Sequence, residues 1–465
     1  MNRARRPWAA LLLLLPLIAV LPATAGDGPP TEGPPADDPA GTSWTLEAVY
    51  RKVVTDNETI GRAWAQVARA EATYRGAWSQ VIPSLTFSGS MTRYDEAQEL
   101  DFGEDEEGNP QTFEIIPETD WSYMFNLRQV VYAGGRPRRA LKYTDNLRDL
   151  SRAGLEQVRQ QVLLAVTAGF TEILKAESDL QLAETDMELA RRQREVAQSL
   201  FDAGEAVRAS VLRAELAMVS AERKKIEAEN RLVRERENFT VLTGIGGDFS
   251  LVQPPAAAPD IDNLEAMVSE ALASRPEIRA VDLEIRNAEL MVDIARGELL
   301  PTLYADVNYI HQKATFPTDQ WWSGVLSLSL PIFDGGLALS HKREAEQDEI
   351  QARLKRDELV KRVRSDVVQA RLTTLDLQKV YRVIEEQVRL ARQTYEDIEK
   401  IYAVGEGTDL DLLEARRTLI ESERMLNNVE NDMVLAACAL EASMGTLARG
   451  ITDTTEGEPE HVLEP

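Results

Sequence analysis

Four short segments of this chain alternate apolar and polar residues with period two, set among long stretches of helical character. Leu85, Phe87 and Met91 alternate with Thr86, Ser88, Ser90 and Thr92, and Trp121, Tyr123, Phe125 and Leu127 with Ser122, Asn126 and Arg128. Leu303, Ala305, Val307 and Tyr309 alternate with Asp306 and Asn308, and Leu326, Leu328 and Leu330 with Ser327 and Ser329. These patterns predict strands over about 84–94, 120–132, 302–311 and 321–333. Each is close to the roughly 9–11 residues that a tilted strand needs to cross a bilayer. Tyr94, Trp121, Trp321, Trp322 and Phe333 sit near the strand ends, as an interfacial aromatic belt requires. A small soluble sheet over a helical core would alternate too. The Ser, Asn, Asp and Arg on one face suit a wet lumen better.

Between the strands the pattern is helical. One stretch runs from Pro137 to Phe201, and another from Leu337 to Tyr402, 66 residues without Gly or Pro. At ~1.5 Å rise per residue each is a rod of about 100 Å, far beyond an ordinary globular helix. The apolar stripes Val158, Val162, Leu174 and Leu359, Val363, Leu375 read as interhelical packing rather than a ligand track.

The two rods belong to a duplication. Gly134-Gly135 matches Gly335-Gly336 at an offset of 201, and Gly204-Glu205 matches Gly405-Glu406 at the same offset. Upstream, Leu46-Glu47-Ala48 matches Leu264-Glu265-Ala266 and Pro83-Ser84-Leu85 matches Pro301-Thr302-Leu303, at an offset of 218. The first copy therefore holds 17 extra residues between Leu85 and Gly134. The unit is too long for a solenoid repeat and reads as one duplicated module. The organisation expected is a signal peptide at 1–25, a Pro-rich leader at 26–43 and a first copy at 44–250. A linker at 251–262, a second copy at 263–446 and an acidic tail at 447–465 follow.

The signal peptide rests on Arg3, Arg5 and Arg6, the apolar run Ala9 to Val20 and the small-residue site Ala23-Thr24-Ala25. Its removal takes the formal charge from −26 to −29, a sign that disfavours a nucleic-acid partner. Cys438 is the single cysteine, so there is no disulfide framework. His311, His341 and His461 are too scattered for a zinc site, and no phosphate loop, dinucleotide fingerprint or nucleophile elbow occurs. No metal or cofactor site is expected from these patterns. The 17 extra residues fall in the segment 95–120, which holds eleven acids and no Lys or Arg and reads as a solvated surface loop. Its Asp101-Phe102-Gly103-Glu104-Asp105 run does not follow EF-hand spacing.

Four strands cannot close a barrel, and an open edge in lipid leaves backbone groups unpaired. A membrane reading therefore requires several chains. Two would supply eight strands; three would supply twelve and leave room for a pore.

Phe201-Asp202-Ala203-Gly204 leads to Val211-Leu212-Arg213-Ala214-Glu215, and Tyr402-Ala403-Val404-Gly405 leads to Leu412-Leu413-Glu414-Ala415-Arg416. With the signal peptide and the duplicated helix–β-hairpin–long helix–helix unit, this order resembles the TolC-like outer-membrane efflux channel family, over roughly 44–446. The resemblance implies a mainly α protein with transmembrane β: a homotrimeric twelve-stranded β-barrel continued by a twelve-helix periplasmic α-barrel. It implies a passive exit duct of a tripartite efflux pump or type I secretion system, in the outer membrane of a Gram-negative cell. Its partners would be a periplasmic adaptor and an inner-membrane transporter. By position, Asp411 and Glu414, with Asp409 nearby, would line the periplasmic constriction; helix capping is the plainer reading of the same acids. Gly204, Gly405, Tyr402, Phe201, Leu212 and Leu413 would form the tip that docks the adaptor. The Arg that latches this turn in the family falls on Gly407, which leaves Arg208 or Arg213 as substitutes. The competing readings are a periplasmic coiled-coil adaptor, which usually carries lipoyl-like and barrel β domains, and a soluble structural coiled coil.

Overall fold

The computed structural model describes residues 43–104, 110–254, 261, 263–313, 319–403 and 406–449. The signal peptide, most of the leader, most of the linker, Gly405 and the tail beyond 449 lie outside them.

The first copy runs β1 (Ser43–Trp44), α1 (Leu46–Asp56), α2 (Glu58–Ala77), β2 (Ser84–Arg93), β3 (Gln98–Glu104), β4 (Pro110–Ile116), β5 (Thr119–Ala133), α3 (Arg136–Asp202) and α4 (Arg208–Thr243). β6 (Ser250–Leu251) follows where the linker begins, and the second copy runs α5 (Leu264–Ser274), α6 (Pro276–Glu298), β7 (Thr302–Gln312), β8 (Gln320–Ser329), α7 (Leu337–Ala403) and α8 (Asp409–Met444). The ends of these helices follow local chemistry. Thr45, Asn57, Asn263 and Thr408 each cap a helix by accepting a first-turn backbone N–H. Gly244 and Gly445 end α4 and α8 in the left-handed region, again 201 residues apart.

α3 and α7 have 67 residues each, about 100 Å at helical rise. Most of their stability comes from tertiary packing of an apolar face rather than from helix propensity. Each copy supplies its own core. Val49, Val53 and Ile60 pack with Leu163, Val166, Phe170 and Phe239 in the first. Met267, Ala271 and Ile278 pack with Val363, Val367 and Leu440 in the second. The packing of α3 on α6 and α8 joins the copies, and β1 pairs in parallel with β6 where the first copy meets the linker.

α3 and α8 are also joined by a buried polar seam that the sequence reading missed. α3 carries Glu172, Asp179, Asp186 and Gln193 at a spacing of seven, so all share one stripe. Asp179 accepts from Arg231 of α4 and Arg424 of α8, at 2.7 and 2.9 Å. Asp186 pairs with Arg416 at 3.1 Å, and Lys175 donates to Asp432 at 2.7 Å. The only signal was the acid heptad itself, whose partners come from distant sequence.

The four predicted strands form one antiparallel sheet in the order β2-β5-β7-β8, leaving β2 and β8 as its edges. Its register places Phe87 opposite Phe125, and Tyr309 opposite Trp322. Leu85, Met91, Leu326 and Leu328 on this face are 68–76% exposed in the single chain, an outward apolar band. The opposite face is polar and cross-linked. Arg128 donates to Asp306 at 2.7 Å, Asn126 to Asn308 at 2.6 Å, and Ser90 and Ser122 share a hydrogen bond of 2.8 Å.

Three expectations need correction. The fourth strand stops at Ser329, not 333, since Pro331 lacks the N–H a ladder needs. Ser43, assigned to the leader, is paired with Ser250. The segment 95–120, read as a solvated surface loop, carries a paired ribbon: β3 and β4 run antiparallel, with Leu100 opposite Phe113. Its acids obscured a period-two pattern. Among the described residues no helix is long and apolar enough to cross a membrane.

Candidate functional site

The α3–α4 and α7–α8 turns lie at the end of the rods away from the strands. In the first, Gly204 takes φ 81°, and the N–H groups of Glu205 and Ala206 return to the Leu200 carbonyl. A side chain at Gly204 would be strained by that backbone alone. In the second, Thr408 caps α8: its hydroxyl accepts from the Asp411 N–H at 3.3 Å and donates to the Asp411 carboxylate at 2.6 Å.

Asp409 joins the two turns. The Tyr402 hydroxyl donates to one of its oxygens at 2.9 Å, and Arg213 of α4 donates to the other at 3.3 Å. Tyr402 is buried, which together with the Asp409 carboxylate pushes its pKa up to about 12. The hydroxyl therefore remains a donor throughout the neutral range. A Cβ at Gly407 would lie 3.0 Å from the Tyr402 backbone, so a side chain there would require this turn to shift by a few tenths of an ångström. Of the two substitutes, Arg213 reaches Asp409, whereas Arg208 bonds to none of the described residues.

Asp411 and Glu414 lie on one face of α8, one turn apart, and both are exposed. They border a cavity of about 790 Å³ between α7 and α8, whose apolar lining includes Val383, Leu390, Ile398 and Ile401. Asp409 is not with them; it faces Tyr402 and Arg213. Of the expected docking residues, Phe201 and Leu212 are exposed, Leu413 is half-buried, and Tyr402 points inward.

An amphipathic four-stranded sheet of bilayer length, continued by paired rods of about 100 Å, defines an outer-membrane channel with a periplasmic extension. The sequence profile described as outer membrane efflux protein matches residues 49–245 and 267–446, and the chain belongs to that family. It is 23% identical over 326 residues to the outer membrane efflux protein BepC of Brucella suis, covering 69% of this chain and 71% of BepC. It is 23% identical over 468 residues to the pyoverdine export outer membrane protein OpmQ of Pseudomonas putida, covering 93% and 97%. The outer membrane channel CmeC of Campylobacter jejuni shares its fold, with a TM-score of 0.73 at 16% identity over 88% of this chain and 89% of CmeC.

Proposed function

We propose that this protein is the passive exit duct of a tripartite efflux pump or type I secretion system. It works as a homotrimer opened by a periplasmic adaptor and an inner-membrane transporter, and performs no chemistry of its own. The observation that carries this reading is the sheet: among the described residues its apolar face is uncovered, its polar face is bonded as a lumen would be, and no further strand pairs with either edge. Three copies give twelve strands and remove every edge from lipid.

Asp411 and Glu414 are the proposed constriction, with the turns around Gly204 and Gly405 docking the adaptor. A threefold axis would bring three copies of each carboxylate together, where like charges repel and attract cations. Planar-bilayer recording of Asp411→Ala/Glu414→Ala tests this. Lower cation selectivity and weaker block by multivalent cations are expected. Conductance, selectivity and block all matching the wild type would leave these acids as helix-end charges, stabilising by about 0.3–1 kcal/mol each.

A further inference from the structure

Adjacent residues of a strand point to opposite faces, so Trp321 and Trp322 cannot both belong to a lipid-facing aromatic belt. Trp322 stands opposite Tyr309 on the outward apolar face and is 72% exposed. Trp321 stands opposite Ile310, and Ile310 opposite Met124. By alternation these three share the other face, with Asn126 and Asn308, where the duct reading puts the lumen. Directly opposed residues have Cβ atoms about 4.5–5.5 Å apart, so the three side chains form one apolar patch across β5, β7 and β8. On β2 the same level carries Ser88.

The levels on either side are polar. Two residues towards the rods, about 6.8 Å along the strand, stand Asn126, Asn308 and Ser323. Two residues towards the outside stand Ser90, Ser122 and Gln312. Met124, Ile310 and Trp321 are half-buried, with no helix packed over them, and they face away from the lipid side of the sheet. Neither lipid solvation nor the helical cores therefore account for apolar residues at this one level. The surroundings beyond it are acidic. Asp120 shares the inward face at the outer end, opposite Thr92. The segment 95–120 that joins β2 to β5 holds eleven acids and no Lys or Arg. Such a field concentrates cations at the mouth, and the face of an indole ring attracts them at close range.

We propose that Met124, Ile310 and Trp321 form a binding site on the barrel lumen for an organic cation that carries an aromatic group. The aromatic group lies against the patch, and the charge is held by the ring face of Trp321 and by the acidic mouth. The site rests on the duct reading above and adds to it a contact far from the tip turns, in the outer half of the sheet.

Titration of the intact detergent-extracted particle with para-fluorobenzyltrimethylammonium, followed by its fluorine NMR line width, tests the site. Saturable broadening is expected, reversed by benzyltrimethylammonium and far less by tetramethylammonium. Trp321→Ser should weaken the affinity several-fold. Ser88→Leu, which extends the patch onto β2, should strengthen it several-fold. A patch that serves only cross-strand packing predicts a lower melting temperature for Trp321→Ser and no change in binding for either variant. In a particle of three-chain mass, absence of saturable binding, or unchanged affinity in either variant, overturns the site alone. Should Trp321→Ser fail to assemble, Ser88→Leu decides by the same criterion. A particle of single-chain mass has no enclosed lumen and overturns the trimeric reading with it.

Discussion

Tyr402→Phe should loosen the tip more than Arg213→Ala, although both remove one hydrogen bond to Asp409. Tyr402 is 6% exposed, so its phenol bonds a carboxylate largely shielded from water, whereas the Arg213 side chain is 54% exposed. A hydrogen bond to a charged group contributes about 1.5–3 kcal/mol when sheltered. An exposed ion pair contributes about 0.2–1 kcal/mol. At about 1.4 kcal/mol per tenfold, Tyr402→Phe should speed local opening roughly ten- to a hundredfold, and Arg213→Ala no more than about fivefold. Hydrogen exchange of the first-turn amides of α8, including Leu412, whose N–H bonds to the Thr408 carbonyl, reads that opening in the intact particle. Faster exchange in Arg213→Ala than in Tyr402→Phe would refute the assignment of the buried phenol as the main tie.

Phe170→Ala should destabilise the first-copy core by about 3–5 kcal/mol, because Phe170 is fully buried against Phe239; thermal melting of the particle checks this. Asp306→Asn should shift the open pore toward anions in bilayer recordings, by freeing Arg128 on the polar face of the sheet. Arg416→Ala should cost about 3 kcal/mol, since it strips a buried partner from Asp186 and leaves Lys224 alone among the described residues; replacing Asp186 as well should recover part of the loss. The Glu298 carboxylate raises the pKa of His341. Their pairing is therefore complete below the ordinary histidine pKa of about 6.5 and fades as pH rises through the raised value, which NMR titration of His341 would show.

The strands were legible because a half-buried strand writes its two faces into alternate residues, and the second rod because its 66 residues without Gly or Pro leave the helix uninterrupted, while the first has only Gly154 and Gly169 after Pro137. The β3–β4 ribbon was not, because its acids signalled solvation more strongly than its short alternation signalled pairing. At the tip, Asp411 and Glu414, singled out by the family resemblance, both lie on one exposed face of α8. Asp409 is turned away from them by two partners, and one of these, Arg213, is 196 residues distant. Sequence named Arg208 and Arg213 equally; only packing separates the one that bonds within the chain from the one that does not. The role of Gly407 was also invisible, since it depends on the Tyr402 backbone lying against it.

The sheet with two free edges makes assembly the central claim, and the mass of the particle extracted from the outer membrane in mild detergent tests it most directly. Native mass spectrometry should find three copies of the chain and no stable smaller species. A particle holding a single chain, with β2 and β8 unpaired, would contradict the account.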